Sequence, residues 1–337
     1  MSVHILILNY NGRHLLEACL PTVLAAAATA RHACQVAVVD NQSTDDSLAW
    51  LADRFPELTV CRSANRGLCS FNEIVPALRA RVAVLLNSDI KLHPDCIDPL
   101  VAPLLGSRRP GEPPCFMTAP LCRRFDGHTY EGFKTAVRWR WGLVQATSLF
   151  AGHESVVDRP DWTASAGAAI AVDCRKFNKL GGFDPLYLPG RLEDLDLAFR
   201  AYQAGYCAKY VPEAVAYHLG MGTFGPVFGE ARCAELALRN TLLFQWKNLR
   251  HPLHRARQAA GLAARLALEA CRAPWTPPAR RWMLVRAIRE AAVQWRRFRR
   301  PATPPATARE LEFFRRFHPD RMRECAAAST EKLEPPG

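Results

Sequence analysis

Four short runs of β-branched and aliphatic residues, Val3–Leu8, Val36–Val39, Leu58–Cys61 and Val82–Leu86, alternate with helix-length stretches at Leu15–Ala28, Asp45–Arg54 and Leu68–Arg79. Apolar runs of four to six residues without a polar alternate are the pattern of strands buried on both faces. Strand and helix in strict alternation call for right-handed crossovers, and so for an α/β fold with a mostly parallel sheet flanked by helices. Ligands of such sheets bind at the carboxyl ends of the strands. The residues to read for function are therefore Asn9-Tyr10-Asn11-Gly12, Asp40-Asn41, Asn65-Arg66-Gly67 and Asn87-Ser88-Asp89.

A second part runs from about Cys115 to His218. It opens with an expected strand at Cys115–Leu121 and continues through an aromatic-rich stretch, Phe125–Trp162, that has no regular period. A strand at Ser165–Val172, the turn Gly181-Gly182-Phe183-Asp184, a helix from about Glu193 and a strand at Cys207–Tyr217 come next. Leu192, Leu195, Phe199 and Tyr202 fall at 3-4-3 spacing, so that helix buries one face. Beyond Cys233 the chain is Ala/Arg-rich and helical, with breaks at Pro252 and Pro274–Pro278, and a tail over 326–337 is expected to be disordered.

The charge is divided unevenly. Of 44 basic and 32 acidic residues, 22 and 23 lie in 1–230, leaving +13 on the last third of the chain. A basic region of that kind points to phosphate, nucleic acid or an anionic membrane surface. The 12 cysteines include no C-x-x-C pair, and several sit in or beside expected strands, so buried free thiols are the reading. No Lys or Arg precedes the short apolar run at the start, and no run reaches the ~18 residues of a bilayer span. The expectation is a cytoplasmic protein with reduced thiols.

The turn after the first strand, Asn9-Tyr10-Asn11-Gly12-Arg13, lacks the G-x-G-x-x-G of a dinucleotide site, and no P-loop occurs. Asn and Asp side chains there suit hydrogen bonds to a base and ribose better than a cradle of glycine amides. Together with these turns, Ile5-Leu-Ile-Leu-Asn-Tyr-Asn-Gly12, Val38-Val-Asp-Asn-Gln-Ser-Thr-Asp46, Asn65-Arg-Gly67 with Asn72, Leu85-Leu-Asn-Ser-Asp89, Gly181-Gly-Phe-Asp184, Glu193-Asp-Leu-Asp-Leu197 with Arg200, and His218 resemble the family 2 glycosyltransferases, most closely the rhamnosyltransferase-like bacterial members. The resemblance covers about residues 3–250.

It implies a GT-A catalytic domain over 1–230, with a nucleotide-binding half at 1–114 and an acceptor half at 115–230, and then a basic helical region at 231–325. It also implies a nucleotide-diphosphate sugar donor, a divalent cation (Mg²⁺ or Mn²⁺) and inverting transfer to a hydroxyl of a glycan or lipid-linked acceptor. By the same resemblance Leu8, Asn9, Asp40, Asn65, Gly67, Asn72 and Asn87 bind the donor, and Asp89 and His218 hold metal or diphosphate. Asn87 stands where the family's metal motif carries its first Asp, which removes one charge from the site. Asp194 matches the catalytic base. Glu193 orients the acceptor or the loop, since adjacent residues on a helix cannot share a face.

The alternatives at these positions are plainer. Asn87-Ser88-Asp89 reads equally as an Asx turn, Asp40 as a helix cap, Glu193 and Asp194 as an acidic first turn favoured by the helix dipole, and His218 as a structural histidine. A carboxylate at Asp40 can accept only from an N–H such as uracil or thymine N3, which favours a UDP- or dTDP-sugar. Asp196 and Arg200, i and i+4, read as a surface ion pair. Arg191 faces either a diphosphate, an acidic acceptor or solvent.

In the C-terminal region Leu284, Ile288, Ala291, Trp295 and Phe298 recur at 4-3-4-3 spacing among eight arginines between 280 and 300. That is a basic amphipathic helix, suited to the inner face of an anionic membrane or to packing on the catalytic domain. Its aromatics lie on the apolar face, poorly placed for base stacking, so nucleic acid is not expected. The function expected is a glycosyltransferase; a catalytically weak sugar-nucleotide or glycan-binding module is the alternative.

Overall fold

A computed structural model describes residues 2–107, 110–132, 134–220, 224–278, 280–298 and 306–331. The four N-terminal strands stand where the apolar runs place them, as β1 (Ser2–Asn9), β2 (Ala33–Asp40), β3 (Thr59–Arg62) and β4 (Val82–Asn87). They lie side by side in the order β3-β2-β1-β4, all parallel, with α1 (Arg13–Thr29) and α2 (Ser47–Arg54) as crossovers. The third crossover is not the helix expected over Leu68–Arg79. It is a 3₁₀ turn at Gly67–Ser70, one α turn α3 (Phe71–Ile74) and a second 3₁₀ turn at Val75–Ala77. Pro76 falls in this short run, and its ring and missing N–H oppose a continuous helix.

The sheet extends past β4 through strands of the second part. β5 (Ile90–Leu92) leaves the turn after β4, and α4 (Ile97–Leu105) leads to β6 (Cys115–Arg123) and β7 (Tyr130–Gly132). Part of the aromatic-rich stretch is a hairpin, β8 (Ala136–Arg140) with β9 (Leu143–Thr147), and β10 (Asp161–Trp162) comes after it. β11 covers Ala169–Asp173, later than the expected start at Ser165. After α5 (Cys174–Leu180) and α6 (Glu193–Gln203) comes β12 (Cys207–His218). β11 runs antiparallel between β4 and β6, and β12 runs parallel beside β6.

Side chains of a strand alternate between faces, and the core obeys that rule. Val3, Ile5 and Ile7 pack with Leu16, Leu20 and Leu100 on one side of the sheet. Leu6, Leu85 and Val172 pack with Phe71, Phe177 and Phe183 on the other. A third core joins α6 to the β8–β9 hairpin and to four C-terminal helices, α7 (Phe224–Asn248, interrupted at Gly229), α8 (Pro252–Arg272), α9 (Met283–Phe298) and α10 (Thr307–Arg316), while α11 (Pro319–Glu331) packs through Met322 on Ala136, Phe150 and Val156. Leu195, Phe199, Leu242, Phe244, Ala287 and Phe313 meet in the third core.

The apolar stripe of α9 is therefore not presented outward as expected for a membrane-interface helix. Leu284, Ala287 and Ala291 are buried, and Ile288, Trp295 and Phe298 pack against the third core. Arg299 and Arg300 of that motif lie outside the described residues, as do residues 332–337 of the expected disordered tail; 326–331 continue α11. Among the described residues no helix is long and apolar enough to cross a membrane. The twelve cysteines are thiols, with no disulfide among the described residues.

Candidate active site

Parallel pairing in register places Asn9 opposite Asp40 and Leu8 opposite Asn87, so the turns singled out in the sequence converge at one end of the sheet. Asn9 Nδ2 donates to Asp40 Oδ1 at 3.2 Å and to Ser43 Oγ at 3.1 Å, while the Ser43 amide donates to Asp40 Oδ2 at 3.0 Å. Asp40 is 1% exposed and thus braces the turn next to it. Asn41 Nδ2 donates to the Gly67 carbonyl at 3.3 Å, tying this turn to the next one. Gly67 has φ +51, and a Cβ there would meet the Pro189 carbonyl at 3.0 Å. Only glycine fits so near the loop that leads to Glu193. Asn65 lies beside the same turn, its amide 3.5 Å from Gln42 Oε1.

Asn72 stands apart from the donor-binding set. Its Oδ1 accepts from the Phe183 amide at 2.9 Å and its Nδ2 donates to the Phe183 carbonyl at 2.7 Å. Both ends of the carboxamide are spent on one residue of the Gly181–Asp184 turn.

The turn Ser88-Asp89 leads into β5, which pairs antiparallel with β12 so that Ile90 faces His218. The Leu219 amide donates to the Asp89 carbonyl at 3.2 Å and closes the corner. In consequence His218 Nε2 lies 3.4 Å from Asp89 Oδ2, and His218 Nδ1 lies 2.8 Å from Glu131 Oε2 on β7. Burial disfavours a proton on this imidazole, but the two carboxylates outweigh burial and raise its pKa to about 9. Glu131 sits in the stretch without a regular period, and nothing in the sequence points to it.

Among the described residues no group of three or more His, Cys, Asp and Glu side chains is arranged to hold a metal ion. Asp89 and His218 fit as a partial set, offering one carboxylate and, where a cation displaces the proton that the two carboxylates favour, one imidazole nitrogen. A hard cation takes six or more ligands, so the others would come from diphosphate oxygens and water.

Asp194 is held from the sheet side. Its Oδ2 accepts from Ser165 Oγ at 2.6 Å and from the Gly167 amide at 3.2 Å, while Ala168 accepts from the Asn87 amide at 3.2 Å. The segment 165–168 therefore binds both the strand end that carries Asn87 and Asp89 and the carboxylate of Asp194. Glu193, the next residue, takes no part in these bonds. Burial, and then the adjacent Asp194 charge, push its pKa from 4.5 to about 8.

Arg191 and Leu192, just before the helix, both adopt left-handed backbone, with φ 79° and 67°. Such conformations cost about 1–3 kcal/mol each and persist only when neighbours impose them. Asn240 on α7 imposes this one: its Nδ2 is within 2.7–2.9 Å of the carbonyls of Tyr187, Gly190 and Arg191. The Arg239 guanidinium donates to the Leu188 carbonyl beside it.

Asp196 and Arg200 are not a surface pair. Asp196 is fully buried, and its carboxylate accepts from Tyr187 Oη, Lys247 Nζ and Asn248 Nδ2, each at 2.8 Å, and from Arg200 Nε at 2.7 Å. Burial works against the charge, but Lys247 and Arg200 overcome it and hold the carboxyl well below the usual range. Arg200 continues to the carbonyls of Leu180 and Gly182, and Lys247 reaches Asp184 at 2.7 Å. The i,i+4 spacing is legible in the sequence; the partners Lys247 and Asn248, fifty residues on, are not.

The profile of glycosyl transferase family 2 matches residues 4–136, which hold the parallel strands and the strand-end Asn87-Ser88-Asp89; Asp194 and His218 lie beyond that match. Residues 4–136 are a family 2 glycosyl transferase domain. At 25% identity over 199 residues, the chain is similar to a Drosophila melanogaster protein named as polypeptide N-acetylgalactosaminyltransferase 10. That match takes in 55% of this chain, which spans about a third of the relative's length (31%).

Among solved structures, GalNAc-T7 with UDP, GalNAc and Mn²⁺ superposes with a TM-score of 0.58 at 17% identity, over 87% of this chain and 57% of that one. Staphylococcus aureus TarS 1–349 with UDP-GlcNAc gives 0.51 at 13% identity, over 98% of this chain and 92% of that one. At these identities the likeness is one of fold, the GT-A fold.

Proposed function

We propose that this chain transfers a sugar from a nucleotide-diphosphate sugar to an acceptor hydroxyl, with inversion and with a divalent cation bound. The observation that carries the reading is the 165–168 segment, bonded at Ala168 to the strand end before Asp89 and at Ser165 and Gly167 to Asp194. It sets the residue for a departing diphosphate and the residue for an incoming alcohol along one short stretch of chain.

A cation bound with the diphosphate supplies positive charge where the leaving group becomes more negative. Asp89 and His218 would hold it, with Glu131 fixing the ring of His218 from its other nitrogen. Asp40 keeps a second lone pair on each oxygen beyond its bonds to Asn9 and Ser43, and accepts the N3–H of uracil or thymine. GalNAc-T7 and TarS, both solved with uridine nucleotides, are in line with that donor. Asp194, oriented by Ser165 and Gly167, takes the acceptor proton as the acceptor oxygen attacks the anomeric carbon and the diphosphate leaves. Glu193 stays protonated at neutral pH and donates a hydrogen bond to the acceptor or its loop.

The acceptor is a glycan or lipid-linked hydroxyl. With the apolar stripe of α9 turned inward, contact with an anionic membrane rests on the arginines of 280–300 alone. Nucleoside diphosphate release from UDP-, dTDP- and GDP-sugars, each with Mn²⁺, Mg²⁺ or chelator, tests the reading. Release from a UDP- or dTDP-sugar that chelator abolishes supports it. Donor binding without metal dependence, and no release with any acceptor, would favour the binding module instead.

A further inference from the structure

A cavity of about 410 Å³ opens between the tip of the β8–β9 hairpin and helices α7 and α8, and neither Asp89 nor Asp194 lines it. Arg140, Trp141, Gln145, Arg265 and Leu268 line it, and no carboxylate does. Its walls are fixed in place. A Cβ on Gly142 would come within 2.6 Å of Gly261 Cα, so the hairpin tip seats directly on the α8 backbone. Gln245 Nε2 holds the Gly142 carbonyl at 3.0 Å, and the Arg265 guanidinium donates to the carbonyls of Trp141 at 2.8 Å and Arg140 at 3.1 Å.

Trp141 and Gly142, φ 51° and 75°, are the two-residue turn of the hairpin, a turn that takes left-handed backbone at both positions, and Trp141 lines the cavity while 65% exposed. The turn sets a large exposed indole beside the cavity, a flat apolar surface that a ligand in the cavity can cover.

Charge says which ligand. Two guanidiniums border the space, and among the described residues neither lies within 4.0 Å of a carboxylate. Burial, and then the Arg140 charge, lower the pKa of Arg265, the direction expected of a cation kept beside another without a counter-ion. A planar guanidinium fork pairs with carboxylate or phosphate through two parallel hydrogen bonds. The indole offers a flat apolar face of the size of a sugar ring.

The cavity is linked to the loop ahead of Glu193 and Asp194 through α7 and the third core. Thr241 in its wall is the neighbour of Asn240, which holds the loop ahead of Glu193 and Asp194. Leu143 and Val144 pack in one core with Leu186, Tyr187 and Leu195.

We infer that this cavity binds an acidic saccharide, its carboxylate or phosphate between Arg140 and Arg265 and a ring against Trp141, and that the acceptor is an anionic glycan. The binding claim stands on the cavity; the word acceptor rests on the transferase reading above.

Calorimetry on the full chain, with UDP and Mn²⁺ present to fill the donor site, compares tetragalacturonate with neutral maltotetraose. The acidic oligomer should bind at least tenfold more tightly and weaken with salt. Trp141→Ala and Arg265→Gln should each weaken it about tenfold or more. Arg265 also bonds the hairpin, so the exposed Arg140→Gln serves as the variant that folds regardless, with melting temperature and UDP binding unchanged.

Equal binding of maltotetraose, or full binding by Arg140→Gln and Trp141→Ala, overturns the inference. So does adsorption to phosphatidylglycerol vesicles that Arg140→Gln abolishes, with no binding of tetragalacturonate. Tetragalacturonate binding without turnover of any nucleotide sugar would keep the cavity and discard the transferase; turnover with unaltered kinetics in these variants would do the reverse.

Discussion

Ser165 Oγ donates to Asp194 Oδ2 at 2.6 Å, across a gap of 29 residues in sequence. With the Gly167 amide on the same oxygen, Oδ1 is the atom that the proposed transfer would use toward an acceptor hydroxyl. Asp194→Asn should lower turnover by about 10²–10⁴-fold and leave UDP affinity nearly unchanged. Ser165→Ala, which frees the carboxylate to rotate without removing it, should give a smaller loss confined to turnover. Steady-state kinetics beside UDP calorimetry checks both; an Asp194→Asn enzyme of undiminished turnover removes that residue from the chemistry.

The buried network around Asp196 is a matter of stability. Lys247→Met leaves a fully buried carboxylate without its ammonium partner and should cost about 3–5 kcal/mol. The midpoint of urea unfolding measures this. A shift as small as that of an exposed arginine variant would mean that the network contributes little.

Asn72 separates two roles that its place in the sequence could not. Asn72→Ala should destabilise the chain by about 1–3 kcal/mol, because it leaves the Phe183 amide and carbonyl unpaired, while the preference among nucleotides stays the same. Thermal unfolding and nucleotide binding compared in one preparation would show it. Unchanged stability with altered nucleotide preference would return Asn72 to the donor.

Glu193 gives the chain a pH dependence of definite sign. Its carboxyl has a pKa near 4.5 when unfolded and about 8 when folded, so between those values the folded state binds more protons. Stability from this group is present below about 4.5 and is lost as pH rises toward 8. Glu193→Gln, which cannot ionise, should gain stability relative to wild type steadily from pH 5 to pH 8. Melting temperatures of the pair across that range test it; a constant difference would place the Glu193 proton off the protein at neutral pH.

The strands of the parallel half and the turns that end them are legible because each is written in contiguous residues: an apolar run, then its polar terminus. Asp89, Asp194 and His218 stand out in the same way. Partners set by tertiary packing do not. Glu131 reaches His218 from a three-residue strand with no alternation, and Ser165 reaches Asp194 from a segment that reads as strand but lies ahead of it. Lys247, Asn248 and Asn240 sit on a helix whose sequence shows only Ala/Arg-rich periodicity, and their partners lie about fifty residues away. The stripe of α9 is amphipathic in sequence and in structure. What covers it is decided by α7, α8 and the turn at Pro185–Tyr187, and no local pattern records that.

The central claim is that Asp89 and His218 hold a cation with the donor diphosphate while Asp194 acts on the acceptor alone. Electron paramagnetic resonance of Mn²⁺ titrated with the full chain and UDP tests it most directly. Wild type and Asp194→Asn should both remove the free Mn²⁺ signal when UDP is present, and Asp89→Asn should leave most of it. Undiminished Mn²⁺ binding with UDP in the double variant Asp89→Asn, His218→Gln would contradict the account.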